Sequence, residues 1–92
     1  MILEVVSPEA TLFSGEVSSV AVPGANGAFQ VLDNHAPIVS ILNPGTVKIG
    51  GKISLPEETA HHFKQQGEET FLELPNGGTV EMQQNKIVLL AD

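Results

Sequence analysis

Turn chemistry recurs along this chain at intervals of roughly 8–12 residues, the spacing expected of an all-β sandwich or barrel. Ser7-Pro8 closes a short β-branched run from Ile2 to Val6, and Pro8 removes a ladder donor where that strand should stop. Phe13-Ser14-Gly15-Glu16 reads as a turn, and Pro23-Gly24-Ala25-Asn26-Gly27 is denser turn chemistry still. Asp33-Asn34-His35-Ala36-Pro37, Asn43-Pro44-Gly45, Pro75-Asn76-Gly77-Gly78 and Gln84-Asn85 follow. Between them lie Val17 to Val22, Phe29 with Val31, Ile38 to Leu42, Thr46 to Ile49, Phe71 to Leu74, Thr79 to Met82 and Lys86 to Leu90. Apolar and polar residues alternate within most of these runs. Val20 and Val22 share one face against Ser19 and Ala21, and Val47 and Ile49 flank Lys48. The pattern predicts one all-β domain over residues 1–92, an antiparallel sandwich or barrel, with no linker.

Two stretches depart from simple alternation. Gly50 to Thr70 has a weak apolar face, and Pro56-Glu57-Glu58-Thr59 could open a helix of at most about three turns. A loop with a short helix, or an extra polar hairpin, fits this surface excursion. Ile38-Val39-Ser40-Ile41-Leu42 and Ile87-Val88-Leu89-Leu90 are apolar on both faces. An antiparallel strand with one solvated face should alternate. A strand apolar on both sides needs a second cover, and a protein partner is the expected one.

Composition excludes several classes of function. There are four Lys, no Arg and eleven carboxylates, for a formal charge of −7. Nucleic acid and anionic lipid both call for a basic footprint, so neither is an expected ligand. No cysteine is available for a disulfide, a thiolate ligand or a thiol nucleophile. No apolar run approaches the ~20 residues of a membrane span, and no charged-then-apolar leader precedes the first strand. At a membrane the chain is therefore expected to be held by protein rather than inserted. Trp and Tyr are absent, which removes the usual platforms of sugar and peptide recognition.

Catalytic chemistry finds no constellation. None of the serines sits in a nucleophile elbow. His61-His62 are adjacent, and adjacent side chains diverge on a strand or a helix, so a shared metal is not expected. Gly24-Ala25-Asn26-Gly27 lacks the Gly-Lys-Ser/Thr end of a phosphate-binding loop. Asp33 and His35 flank a turn, where His35 is expected to hydrogen-bond backbone. Catalytic, cofactor-binding and metal-ligating residues are therefore all expected to be absent.

Three stretches, in order and spacing, resemble the amino-terminal domain of the bacterial F-type ATP synthase epsilon subunit. They are Val5-Val6-Ser7-Pro8-Glu9 with Leu12-Phe13-Ser14-Gly15, Val22 to Leu32 running into Asn34-His35-Ala36-Pro37-Ile38-Val39, and Gly77 to Gln83 followed by Lys86 to Asp92. The most specific element is the Pro-Gly-x-x-Gly turn about ten residues before His-Ala-Pro. The resemblance implies a flattened sandwich of about ten strands. It also implies a non-catalytic rotor subunit of the central stalk, which supports the coupling of proton flow to ATP synthesis. The partners it implies are the gamma subunit, against His35, Ala36, Pro37, Ile38, Val39, Ile41, Leu42, Val80, Met82 and Ile87, and the ring of c subunits, against Gly24, Ala25, Asn26, Gly27, Ala28 and Asn34. The position of Ala28 is often acidic in the family, which leaves a carboxylate contact to the ring without its residue here. Many members continue past the Ala-Asp ending with a helical hairpin that carries an ATP site. This sequence stops at Asp92, so no ATP site is expected. The implied location is peripheral, on the cytoplasmic face of the bacterial inner membrane.

Overall fold

A computed structural model describes all of residues 1–92. Ten strands form: β1 (Ile2–Val6), β2 (Thr11–Glu16), β3 (Ser19–Val22), β4 (Phe29–Leu32), β5 (Ile38–Leu42), β6 (Gly45–Gly50), β7 (Phe63–Gln66), β8 (Glu69–Leu74), β9 (Gly78–Gln83) and β10 (Lys86–Ala91). They make two five-stranded sheets, ordered β2-β1-β10-β9-β5 (sheet I) and β4-β3-β6-β8-β7 (sheet II). All pairings are antiparallel except β1 with β10. That parallel pair joins the first strand to the last, in the register Ile2 to Lys86 through Val6 to Leu90. Almost the whole chain serves as its connection, which satisfies the long crossover that parallel neighbours require.

The alternation read from sequence sorts the side chains as the pleat demands. Leu3, Val5, Val20, Val22, Val31, Val47, Ile49, Leu72, Leu74, Val80, Met82, Ile87 and Leu89 turn inward and form one core with Met1, Leu12, Phe13, Val17 and Leu42. Thr70 is the only buried polar residue, and its Oγ1 accepts a hydrogen bond from Gln65 Nε2 at 3.2 Å.

One sequence expectation changes. Phe13 to Glu16 is not a turn but the body of β2, and the connection from β1 is Ser7–Ala10, held by Ser7 N donating to Ala10 O at 2.8 Å. The β1–β2 register shifts between Val5 and Val6, so that Val5 faces Phe13 and Val6 faces Thr11. This bulge slips Leu12 inward beside Phe13, and both are buried. A Cβ at Gly15 would lie 3.0 Å from the Phe13 ring, a tight contact that favours glycine at this strand position.

The excursion contains both of the features that its sequence allows. A single 3-10 turn, Ala60–His62, leads into β7, which forms a polar hairpin with β8 around Gly67 (φ 63°). Residues 51–59 run between the β2 and β7 edges as a strap. Ile53 and Leu55 pack on the core, Thr59 Oγ1 donates to Leu12 O at 2.6 Å, and Gln65 Nε2 donates to Ile53 O at 3.2 Å.

Candidate functional site

The two outer faces of the sandwich differ in kind. Five large apolar side chains are exposed, and four of them stand on the outside of sheet I: Val39 (77%), Ile41 (68%), Leu90 (46%) and Ile2 (39%). Leu32, at the end of β4, is the fifth. Register explains the clustering. Ile41 lies opposite Thr79, and Thr79 lies opposite Leu90, while Val39 and Val88 flank Glu81 in the next row. Val39, Thr79, Val80, Glu81, Val88 and Leu90 line a shallow groove of about 270 Å³. The outside of sheet II is mostly polar instead, with Leu32 exposed on its edge strand and Phe71 half-buried beside Lys48. Lys48 Nζ lies 3.4 Å from Glu69 Oε2, and Thr46 Oγ1 donates to Glu73.

The strands that sequence marks as apolar on both faces are β5 and β10, and both lie in sheet I. Leu42, Ile87 and Leu89 fill the core, and Ile38 packs against it. Val39 and Ile41 point outward, with Leu90 exposed and Val88 half-buried beside them. Four of the residues expected at a protein interface turn their side chains into the core. The side chains of Leu42, Val80, Met82 and Ile87 are 3% exposed or less and support the face from beneath. The pleat gives the outward places on β9 to Thr79, Glu81 and Gln83.

Two loops flank β5, one at each end. At its carboxyl end the 23–28 turn is stitched to the strand. Ala25 N donates to Ile41 O and Asn43 N to Pro23 O, both at 2.8 Å, and Gly24 bridges Leu42. Only glycine fits position 24, because a Cβ there would lie 2.6 Å from Gly27 O and 2.7 Å from the Phe29 ring. Ala25, Asn26, Gly27 and Ala28 remain exposed at the tip. At the amino end of β5, His35, Ala36 and Pro37 are exposed, and His35 Nδ1–H donates to Ala36 O at 2.8 Å.

Asn34 does not join the 24–28 turn. It lies past the other end of β4, where Leu32 pairs with Ser19, whereas the turn joins Val22 to Phe29. Asn34 adopts φ 60° and its N–H donates to Asn85 Oδ1 at 2.8 Å, which ties the loop to the β9–β10 turn. The amino terminus anchors the same end. The Met1 ammonium lies 2.7 Å from Asp33 Oδ1 and 2.9 Å from Glu16 Oε2. Hydrogen bonds to Asp33 and Glu16 raise its pKa above the ordinary 8.0. Sequence reading did not find this cluster, because the three residues meet only through sheet pairing.

No group of three or more His, Asp or Glu converges in the geometry of a metal site. The rings of His61 and His62 lie against each other at 4.1 Å on the exposed 3-10 turn. No helix is long and apolar enough to cross a membrane. The arrangement offers a surface for another protein, built from an apolar sheet face flanked by two loops.

Comparison with known proteins agrees in fold and family. The family model "ATP synthase, Delta/Epsilon chain, beta-sandwich domain" matches residues 1–92. The chain is 37% identical over 90 residues to an ATP synthase epsilon chain of Chlorobaculum tepidum, covering 98% of this chain and 86% of that one. It is 36% identical over 90 residues to the epsilon chain of Desulforamulus reducens, where the match covers 98% of this chain but 57% of the relative. Among solved structures, a chain from the central stalk and c-ring of the Tetrahymena thermophila mitochondrial ATP synthase shares the fold. Its TM-score is 0.68 at 14% identity, over 98% of this chain and 61% of that one. On the full-length family match and these identities, the chain belongs to the β-sandwich family of ATP synthase delta and epsilon chains, as an epsilon chain.

Proposed function

We propose that this chain is a non-catalytic subunit of the central stalk of a proton-translocating F-type ATP synthase, serving assembly and the coupling of ion flow to ATP synthesis. It docks on the gamma subunit through the outer face of sheet I and meets the c-ring through the 24–28 turn. The observation that carries this reading is the asymmetry of the sandwich. One face is mostly polar, with Glu69 and Glu73 engaged within the sheet and Leu32 alone strongly exposed at its edge, and the other exposes Val39, Ile41 and Leu90 together. Contiguous exposed apolar surface marks a protein contact on a molecule of this size. The gamma contact consists of Val39, Ile41 and the outer rim of β5, with His35, Ala36 and Pro37 at its amino end. Gly24, Ala25, Asn26, Gly27 and Ala28 form the separate ring contact, and Asn34 belongs with the opposite end. The chain is held at the cytoplasmic side of the membrane by these protein contacts.

The test is to mix the 92-residue chain with the gamma subunit of the same enzyme and follow it by size-exclusion chromatography with light scattering. A stoichiometric complex is expected. Val39→Asp should weaken it by several kcal/mol, because it places an unpaired charge in an apolar contact. The sandwich should stay folded by circular dichroism, since this side chain is 77% exposed. Separate elution of the wild-type chain at micromolar concentration would overturn the docking reading.

A further inference from the structure

The apolar face of sheet I carries a carboxylate in an awkward place. Glu81 stands on β9, with Val39 of β5 on one side and Val88 of β10 on the other, all in one register row. It lines the groove formed with Thr79, Val88 and Leu90. Its side chain makes no hydrogen bond and no ion pair within the chain, whereas Glu69 and Glu73 on sheet II each have a partner. Lys86, the one cation on this face of sheet I, borders a neighbouring hollow with Glu81 but does not pair with it. A partner seated on Val39 and Val88 together must cover Glu81 as well. Covering it unpaired would cost more than the surrounding apolar contact returns.

We infer that the protein segment covering this face carries a lysine or arginine that meets Glu81 inside an otherwise apolar contact. The same row continues from Val88 to Glu4 on β1, which also makes no ion pair. Glu4 and Glu81 are two strands apart, about 10 Å. Two basic residues seven apart on an α-helix span about 10.5 Å, and an apolar residue midway between them would fall over Val88. The occupant is therefore a segment that presents basic and apolar residues together on one face, and Glu81 sets its register. The inference rests on the docking reading above and adds to it the chemistry of the partner.

The experiment is calorimetric titration of the gamma subunit into the wild-type chain and five variants. Glu81→Gln should weaken binding by about thirtyfold or more, the scale for truncating one side of a buried charge pair. Glu81→Lys should weaken it further through like-charge contact. Glu73→Gln on the opposite face should leave affinity unchanged, and Lys86→Gln should not reproduce the loss seen with Glu81→Gln if the cation belongs to the partner. Ile41→Ser reports on the face itself. If Ile41→Ser weakens binding while Glu81→Gln binds like wild type, docking stands and the inferred cation is overturned. If Lys86→Gln weakens binding as much as Glu81→Gln, the neutralising charge comes from this chain and the inference is again overturned. If the wild-type chain does not bind at all, or if neither Ile41→Ser nor Glu81→Gln weakens binding, the docking reading falls and takes the inference with it.

Discussion

Met1 shows how one residue can link the parts of a small sandwich. Its side chain is buried in the core, and its ammonium joins Asp33, just beyond β4, to Glu16 at the end of β2. With the folded pKa raised above the unfolded 8.0, folding favours the protonated amine. The contribution of this group to stability is fully present below about pH 8 and is lost as pH rises through the folded pKa. Urea midpoints of this chain should therefore fall as pH rises above 8, and the Asp33→Asn, Glu16→Gln double variant should flatten that fall. An equal slope in the variant would show that the contacts contribute nothing. Neither acid is visible as a partner in sequence, since each is just one of eleven carboxylates.

Among the elements, the strap and the turns decide the shape of the edges. Strands β2 and β7 are the outermost members of their sheets, and unpaired edges invite association. The strap between them is held by Ile53 and Leu55 and by the Thr59 hydroxyl on Leu12 O. Thr59→Val keeps the shape but removes that donor. It should cost about 1 kcal/mol in chemical denaturation and speed proteolysis within 51–62 before global unfolding. Unchanged stability and cleavage would mean that the apolar contacts alone hold the strap. Strand positions were legible here because β-branched alternation and turn residues are local signals. The misread turn at Phe13–Glu16 was not, because Ser-Gly suits a turn as well as a strand and only pairing with β1 selects the strand.

At the scale of the whole molecule, charge and shape act together. A net charge of −7 on 92 residues opposes compaction, and three ion pairs, two of them at the amino terminus, offset little of it. Raising ionic strength from about 0.02 to 0.5 M should therefore raise the thermal midpoint of the isolated chain, because it shortens the Debye length from about 20 to about 4 Å. A falling midpoint would show that its few attractive pairs outweigh the repulsion. The same charge disfavours self-association through the apolar face, since two copies would bring like-charged surfaces together, and it favours a partner of opposite sign.

Sequence by itself determined the β class, the inward set on nearly every strand and the two strands with apolar residues to spare, because burial on a pleated strand follows a period of two. It also carried the family resemblance, through a glycine-rich turn whose Gly24 has no room for a side chain. Tertiary structure decided which way the spare residues point. Leu42, Val80, Met82 and Ile87 go to the core, and Val39 and Ile41 go to the outer face. It separated Asn34 from the 24–28 turn by the length of β4, and it set Glu81 between two valines. These are matters of register and strand order, which depend on contacts between residues far apart in the chain and leave no periodic trace within any one segment.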